Sequence, residues 1–313
     1  MKRILLLALS FGCSSGYSAD GVLELNQACA SVGCFPGDVA GLPIEITYSG
    51  SYRLTSNLSA PSTDGIRISA NAVELDLGGF TISGPVSCSG SPLVCVPASY
   101  GPGGIVVTPT TAGVVVRNGQ IQGFGGGIFS GQSGLIESVT SQSNAEKGIV
   151  ARSGTVVRNV SALFNAGAGI EVFLGGQVVD SVANFNGSFG VTTGGVPNNG
   201  GATIRNSSMF GNAGHGIYDW GRSIIDGCNV NGNSGPGIRV DNGGSRITNN
   251  VVAGNQLGIQ ILDGRAFEPT GSVTALSGNV LTGNNGGSAN PQITGSGQKV
   301  YVGQNICGSV ICN

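Results

Sequence analysis

Charge is scarce in this sequence. Only 10% of its 313 residues are charged, and 16 acidic against 14 basic side chains leave a formal net charge of −2. So neutral a balance gives no electrostatic footprint for nucleic acid or for an anionic membrane surface, and neither is expected as a partner. Histidine is rarer still. The lone His215 supplies no metal cluster and no clear catalytic triad, so no metal site is expected. No apolar run, the one at Ile4 to Phe11 included, is long enough to cross a bilayer.

Glycine is plentiful, with 57 copies. Together with Val, Ile, Asn, Ser and Thr it favours short strands and tight turns over helices. The start reads as a secretion signal over residues 1–19. Lys2 and Arg3 precede an apolar core from Ile4 to Phe11, and small residues follow up to Ala19. Cys13 raises the rival reading of a lipid anchor, but Ser10 stands where such a signal usually has Leu. A secreted or periplasmic protein is expected. The cysteines agree: Cys29 with Cys34, Cys88 with Cys95 and Cys307 with Cys312 are the simplest pairings in an oxidising compartment. Cys228 is left over and reads as a buried small hydrophobe.

One unit recurs along most of the chain: Gly, then Ile or Val, then an alternating run. It starts at Gly65, Gly104, Gly127, Gly148, Gly169, Gly190, Gly216, Gly237 and Gly258, and from Gly127 onward the steps are 21, 21, 21, 26, 21 and 21 residues. A fixed period of this size marks a solenoid. A second apolar pair precedes each start, as in Val115-Val116, Leu135-Ile136, Val156-Val157, Val178-Val179 and Ile224-Ile225. Between the two lies a turn with Asn144, Asn165, Asn186, Asn212, Asn233 or Asn255. Stacked about 4.8 Å apart, such asparagines bond to their equivalents above and below. The residue after the second pair reads Asp76, Arg117, Glu137, Arg158, Asp180, Arg205, Asp226, so an alternating ion-pair ladder is expected there.

This pattern resembles the right-handed parallel β-helix, the pectin-lyase-like family of repeat proteins. Val73-Glu74-Leu75-Asp76-Leu77 with Gly78-Gly79-Phe80 looks like an early-coil signature of that family. The expected fold is an all-β right-handed parallel β-helix solenoid with an N-terminal cap. Residues 20–60 form the cap, 61–302 the helix with an insert loop at 83–102, and 303–313 a disulfide-tied tail. The family resemblance fixes architecture and leaves chemistry open, since the fold hosts lyases, hydrolases, epimerases, adhesins and phage tailspikes.

In a strand the residues two and four places after each Gly point outward. In the middle coils they are Val150 and Arg152, Glu171 and Phe173, Thr192 and Gly194, Tyr218 and Trp220, Arg239 and Asp241. His215 directly precedes this patch and Arg222 follows it. Aromatic faces beside charged partners suit stacking on sugar rings. Arg152, Glu171, Phe173, His215, Tyr218 and Trp220 are therefore expected to contact an extracellular polysaccharide. Hydrolysis would need two carboxylates, with Asp219, Asp241 and Asp263 as candidates. A β-eliminating lyase would need a base, for which Arg239 or Arg222 stand nearest, and commonly an acidic calcium cluster. The calcium aspartates of pectate lyases and the paired aspartates of polygalacturonases are not recognisable. No cofactor is expected, with calcium left open. The competing expectation is a non-catalytic surface or structural β-helix.

Overall fold

The computed structural model describes residues 21–99, 101–194, 201–262 and 272–312. The proposed signal segment, Cys13, most of the Gly194–Gly201 insertion and Asp263 lie outside them.

Each middle coil carries three short strands, as in Ile149–Ala151, Val156–Arg158 and Ser161–Leu163. All the coil-to-coil pairings are parallel. One face is an eleven-stranded sheet, running from Ile44–Ile46 to Ile293–Thr294. Apart from one two-stranded hairpin, the other strands merge into a 22-stranded sheet, because Val115–Gln122 and Leu135–Gln142 run unbroken through two faces. The Gly-Ile unit sets the register of the first face. Ile44, Ile66, Ile105, Ile128, Ile149, Ile170, Val191, Ile217, Ile238, Ile259 and Ile293 lie in one continuous column. All but Ile293 in that column are at most 1% exposed, so the repeat is the core itself. The stack begins earlier than residue 61, because Val22–Leu25 already pairs in parallel with Gly50–Leu54 and Ile44–Ile46 with Ile66–Ile68. The cap proper is the helical turn Gln27–Ala30 with the Cys29–Cys34 disulfide. The insert loop is an antiparallel hairpin stapled by Cys88–Cys95. At the other end the antiparallel pair Asn305–Cys307 and Val310–Cys312 closes over Cys307–Cys312.

The asparagine column is continuous. Each Nδ2 from Asn144 to Asn255 donates to the next Asn Oδ1 at 2.8–3.0 Å, and Asn284 Nδ2 ends the series on Gln292 Oε1 at 2.9 Å. A second ladder, absent from the sequence reading, joins Asn250, Asn279 and Asn305. Its column continues downward through Cys228, whose backbone N donates to Asn250 Oδ1 at 2.8 Å. Cys228 is 1% exposed and burial pushes its thiol up to about 11. It fills a core position, as expected.

The charge ladder needs a correction. The register aligns Glu24, Arg53, Asp76, Arg117, Glu137 and Arg158, and next comes Val179, not Asp180. Asp180 stands one place on, in a left-handed conformation with φ 50°. Both Val178 and Val179 are apolar, so counting apolar pairs slips by one there; the true equivalents of Val156-Val157 are Gln177-Val178. Below the break two of its contacts form, Arg158 with Glu137 at 2.5 Å and Arg117 with Asp76 at 3.6 Å, and Arg117 also bonds Glu74 outside the column at 2.5 Å.

Candidate functional site

The outward column of the eleven-stranded face reads Val150, Glu171, Thr192, Tyr218, Arg239, Gln260. Tyr218 and Arg239 are thus neighbours one strand spacing apart. The Tyr218 hydroxyl donates to Asp241 Oδ2 at 2.6 Å, and Arg239 Nε donates to Asp241 Oδ1 at 2.7 Å. Arg239 also lies 5.6 Å over the Tyr218 ring. Asp241 is only 3% exposed, so its charge is tolerable because both oxygens are bonded. It acts as a clamp between the phenol and the guanidinium.

Four aromatic rings meet at this point. Tyr218 lies 5.3 Å from Trp220, 4.9 Å from Phe189 and 5.4 Å from His215. Phe189 stacks on His215 at 5.1 Å and 18°. His215 Nδ1 is buried without a hydrogen-bond partner and faces Gly235 of the next coil, where a Cβ would come within 2.4 Å of it. Burial, then the nearby Arg239 charge, pull the His215 pKa down to about 4, against the opposing pull of Asp241. The imidazole is neutral at pH 7.

The residues expected from sequence separate in the structure. His215, Tyr218, Trp220, Arg239 and Asp241 are brought together. Glu171 and Phe173 lie two coils and Arg152 three coils below the Tyr218–Trp220 strand, roughly 10 and 14 Å along the axis. Glu171 is instead paired with Lys147 at 2.7 Å. Arg222 sits on the exposed corner after Trp220 with φ 63°. Asp219 departs from its expected catalytic role. It is 0% exposed and faces the interior, since strand alternation turns it away from Tyr218. It forms no carboxylate pair with the outward Asp241, and the candidate Asp263 falls outside the described residues. Among the described residues, no three His, Cys, Asp or Glu side chains converge as metal ligands.

Phe189 and Lys147 escaped the sequence reading. Both directly precede a coil-start glycine, as His215 does. In these three coils that position is partly exposed, whereas Gly126, Ala168 and Pro236 at the same place are buried.

A second aromatic group lies on the corner that carries the asparagine column. Phe164 stacks on Phe185 at 5.2 Å and 6°, and Phe210 meets Phe185 edge-on at 5.3 Å.

Residues 151–306 match the family described as the right handed beta helix region. No curated protein matches the sequence. Among solved structures, the A-module of the Azotobacter vinelandii mannuronan C-5 epimerase AlgE4 is similar with a TM-score of 0.63 at 15% identity, covering 93% of this chain and 85% of that one. The Dettilon tailspike protein gives a TM-score of 0.66 at 13% identity over 83% of this chain, which spans 60% of the tailspike. The periplasmic alginate epimerase AlgG gives 0.58 at 14% identity, over 90% of this chain and 83% of the other. At these identities the likeness is one of fold.

Proposed function

The chain is a right-handed parallel β-helix, and we propose that it binds an extracellular polysaccharide on the outer face of its eleven-stranded sheet, around Tyr218 and Trp220. The carrying observation is the ring cluster of Phe189, His215, Tyr218 and Trp220 set against the Arg239–Asp241 pair. Aromatic surface beside fixed polar groups is what a sugar ring requires, with its apolar C–H face and its rim of hydroxyls. Two fold neighbours named for acting on mannuronan and on alginate support this reading. The charges favour an acidic chain. Lys147 pairs with Glu171 and Arg239 with Asp241, and the half-buried Arg152 on the same face has no ion-pair partner among the described residues, so three basic side chains line this face. The three disulfides suit an extracellular or periplasmic location, and the N-terminal secretion signal is part of the same proposal.

One observation favours processing over binding alone. A neutral imidazole, a tyrosine hydroxyl and a guanidinium converge within one ring cluster. Removing a proton beside a sugar carboxylate requires an acceptor, a donor and a positive charge to hold the developing anion. His215, Tyr218 and Arg239 would supply these, for elimination or for epimerisation. Arg239 then serves as the electrostatic partner and not as the base, because a guanidinium stays protonated.

The test uses residues 20–313 with acidic and neutral polysaccharides, with and without calcium. The expected result is that acidic glycans shield Trp220 fluorescence from a soluble quencher. Unsaturated uronates would establish elimination, and altered uronate configuration would establish epimerisation. New saturated reducing ends would point to hydrolysis and return attention to Asp263. Unshielded Trp220 and no product with every glycan would overturn the proposal in favour of a structural β-helix.

A further inference from the structure

The inward column behind the aromatic cluster reads Ala151, Val172, Thr193, Asp219, Val240, Ile261. It is a core column, and a carboxylate is the least expected side chain in it. Asp219 is 0% exposed, yet its carboxylate is met by four hydrogen-bond donors. Its Oδ1 accepts from Thr193 Oγ1 at 2.8 Å, Ser223 Oγ at 2.6 Å and the Gly221 backbone N at 3.0 Å. Its Oδ2 accepts from Ser245 Oγ at 2.5 Å. The donors come from three successive coils, separated from Asp219 by as many as 26 residues in either direction.

All these bonds converge on one corner. Trp220 follows Asp219 directly. Its backbone N donates to Thr193 Oγ1 at 2.9 Å, so Trp220, Thr193 and Asp219 form a relay of donors ending on the carboxylate. The next backbone N, of Gly221, goes to the same carboxylate oxygen. On the outer side Asn242 Nδ2 donates to the Trp220 carbonyl at 2.8 Å. Gly221 makes the turn with φ 112°, and a Cβ there would stand 2.7 Å from the Gly243 carbonyl. The chain reverses so tightly here that the backbone on both sides of Trp220 needs internal partners.

We propose that Asp219 is a positioning residue, a buried anchor that fixes the corner presenting Trp220 to the glycan-binding face. A hydrophobic residue would fill the column as Val172 and Val240 do, but would leave three hydroxyls and the Gly221 N–H facing apolar core. A neutral amide would bring two N–H groups against those donors. An acceptor-only side chain takes all four donors with every hydroxyl oriented as observed. The inference rests on the polysaccharide reading for its consequence, but not for its geometry.

The sequence has one tryptophan, so intrinsic emission reports this corner alone. Asp219→Asn and Thr193→Val would be compared with wild type and with Asn279→Ala, which breaks the second asparagine ladder away from the site. The expected result is that both corner variants keep their far-ultraviolet circular dichroism but shift Trp220 emission and raise its quencher accessibility. Affinity for an acidic polysaccharide should fall about tenfold, the scale of one net hydrogen bond. Asn279→Ala should lower the melting temperature and leave the emission in place. If Asp219→Asn fails to fold, Thr193→Val decides alone. Unchanged Trp220 emission in the folded corner variants overturns the proposal, as does an equal shift in Asn279→Ala. A shift confined to the corner variants in a protein that binds no glycan would uphold the anchor and remove the polysaccharide reading.

Discussion

Tyr218 and Asp241 are joined across one coil by a 2.6 Å hydrogen bond, with the phenol as donor. Strand alternation alone would send both side chains into solvent. The bond instead folds them over each other and leaves Asp241 3% exposed. Tyr218→Phe separates the two uses of the residue. The ring face remains for stacking, while Asp241 loses a donor that water reaches poorly. Removing a hydrogen bond to a charged group costs about 1.5–3 kcal/mol, so the unfolding free energy measured by denaturant melts should fall by that amount. Glycan shielding of Trp220 should persist in Tyr218→Phe, and any proton-transfer chemistry should be lost. Loss of both together would mean that the hydroxyl is needed for binding itself.

Architecture was legible because it is periodic. Gly-Ile starts and single asparagines recur at fixed steps, and each is dictated by a core or corner position that every coil must fill. The second ladder was not legible, because it occupies three late coils and Ser181, Ser207 and Cys228 precede it in the same column. Site chemistry depends on single coils. Strand alternation admitted an inward Asp219, but nothing local announces Thr193 and Ser245 as its partners. Lys147 and Glu171 are likewise a pair only through stacking, 24 residues apart.

Val179 interrupts an otherwise alternating ladder and stands between Arg158 and Arg205 in register. Val179→Glu would put a carboxylate between two guanidiniums one strand spacing away on each side. Exposed pairs are worth about 0–1 kcal/mol each and weaken with salt. The variant should be stabilised by about 0.5–1 kcal/mol in low salt, against the loss of a partly buried valine. Denaturant melts at low and high ionic strength would check it. A gain that survives molar salt would contradict the ion-pair account.

His215 should make stability depend on pH in a defined window. Its folded pKa of about 4 lies below the ordinary value of 6.5, so the unfolded chain takes up the proton first. The unfolded state then binds more protons between these values, and stability rises with pH across them. This contribution is complete above roughly pH 6.5 and declines as pH falls towards 4, with no further slope below. Each unit of separation corresponds to about 1.36 kcal/mol. Solvent reaching the partly exposed ring reduces that, leaving ~1–2 kcal/mol over the window. In His215→Phe this share of the acid sensitivity should vanish, and paired urea melts from pH 7 to 4 would measure it. Identical pH slopes would show that Arg239 and burial do not hold the imidazole neutral.

Phe164 and Phe185 stand at a corner position that most coils give to glycine. The column runs Gly123, Ser143, Phe164, Phe185, Gly211, Gly232, Gly254, Gly283, and every member has a positive φ between 52° and 76°. A left-handed conformation strains an L side chain by about 1–2 kcal/mol. Phe185 offsets this by touching both Phe164 and Phe210, at about 0.5–1.5 kcal/mol per ring pair. Its ring also lies where a Cβ on Gly211 would stand, 2.9 Å away. The two contributions nearly cancel, so Phe185→Gly should change stability by no more than ~1 kcal/mol although two ring contacts go. Phe185→Val keeps the strained backbone, adds a β-branch that tolerates it least, and also loses the rings. Valine should therefore be worse than glycine by ~1–2 kcal/mol, the reverse of their order in an ordinary strand. Thermal melts of the two variants decide it, and a valine variant as stable as the glycine one would mean that the corner relaxes out of the left-handed region once the rings are removed.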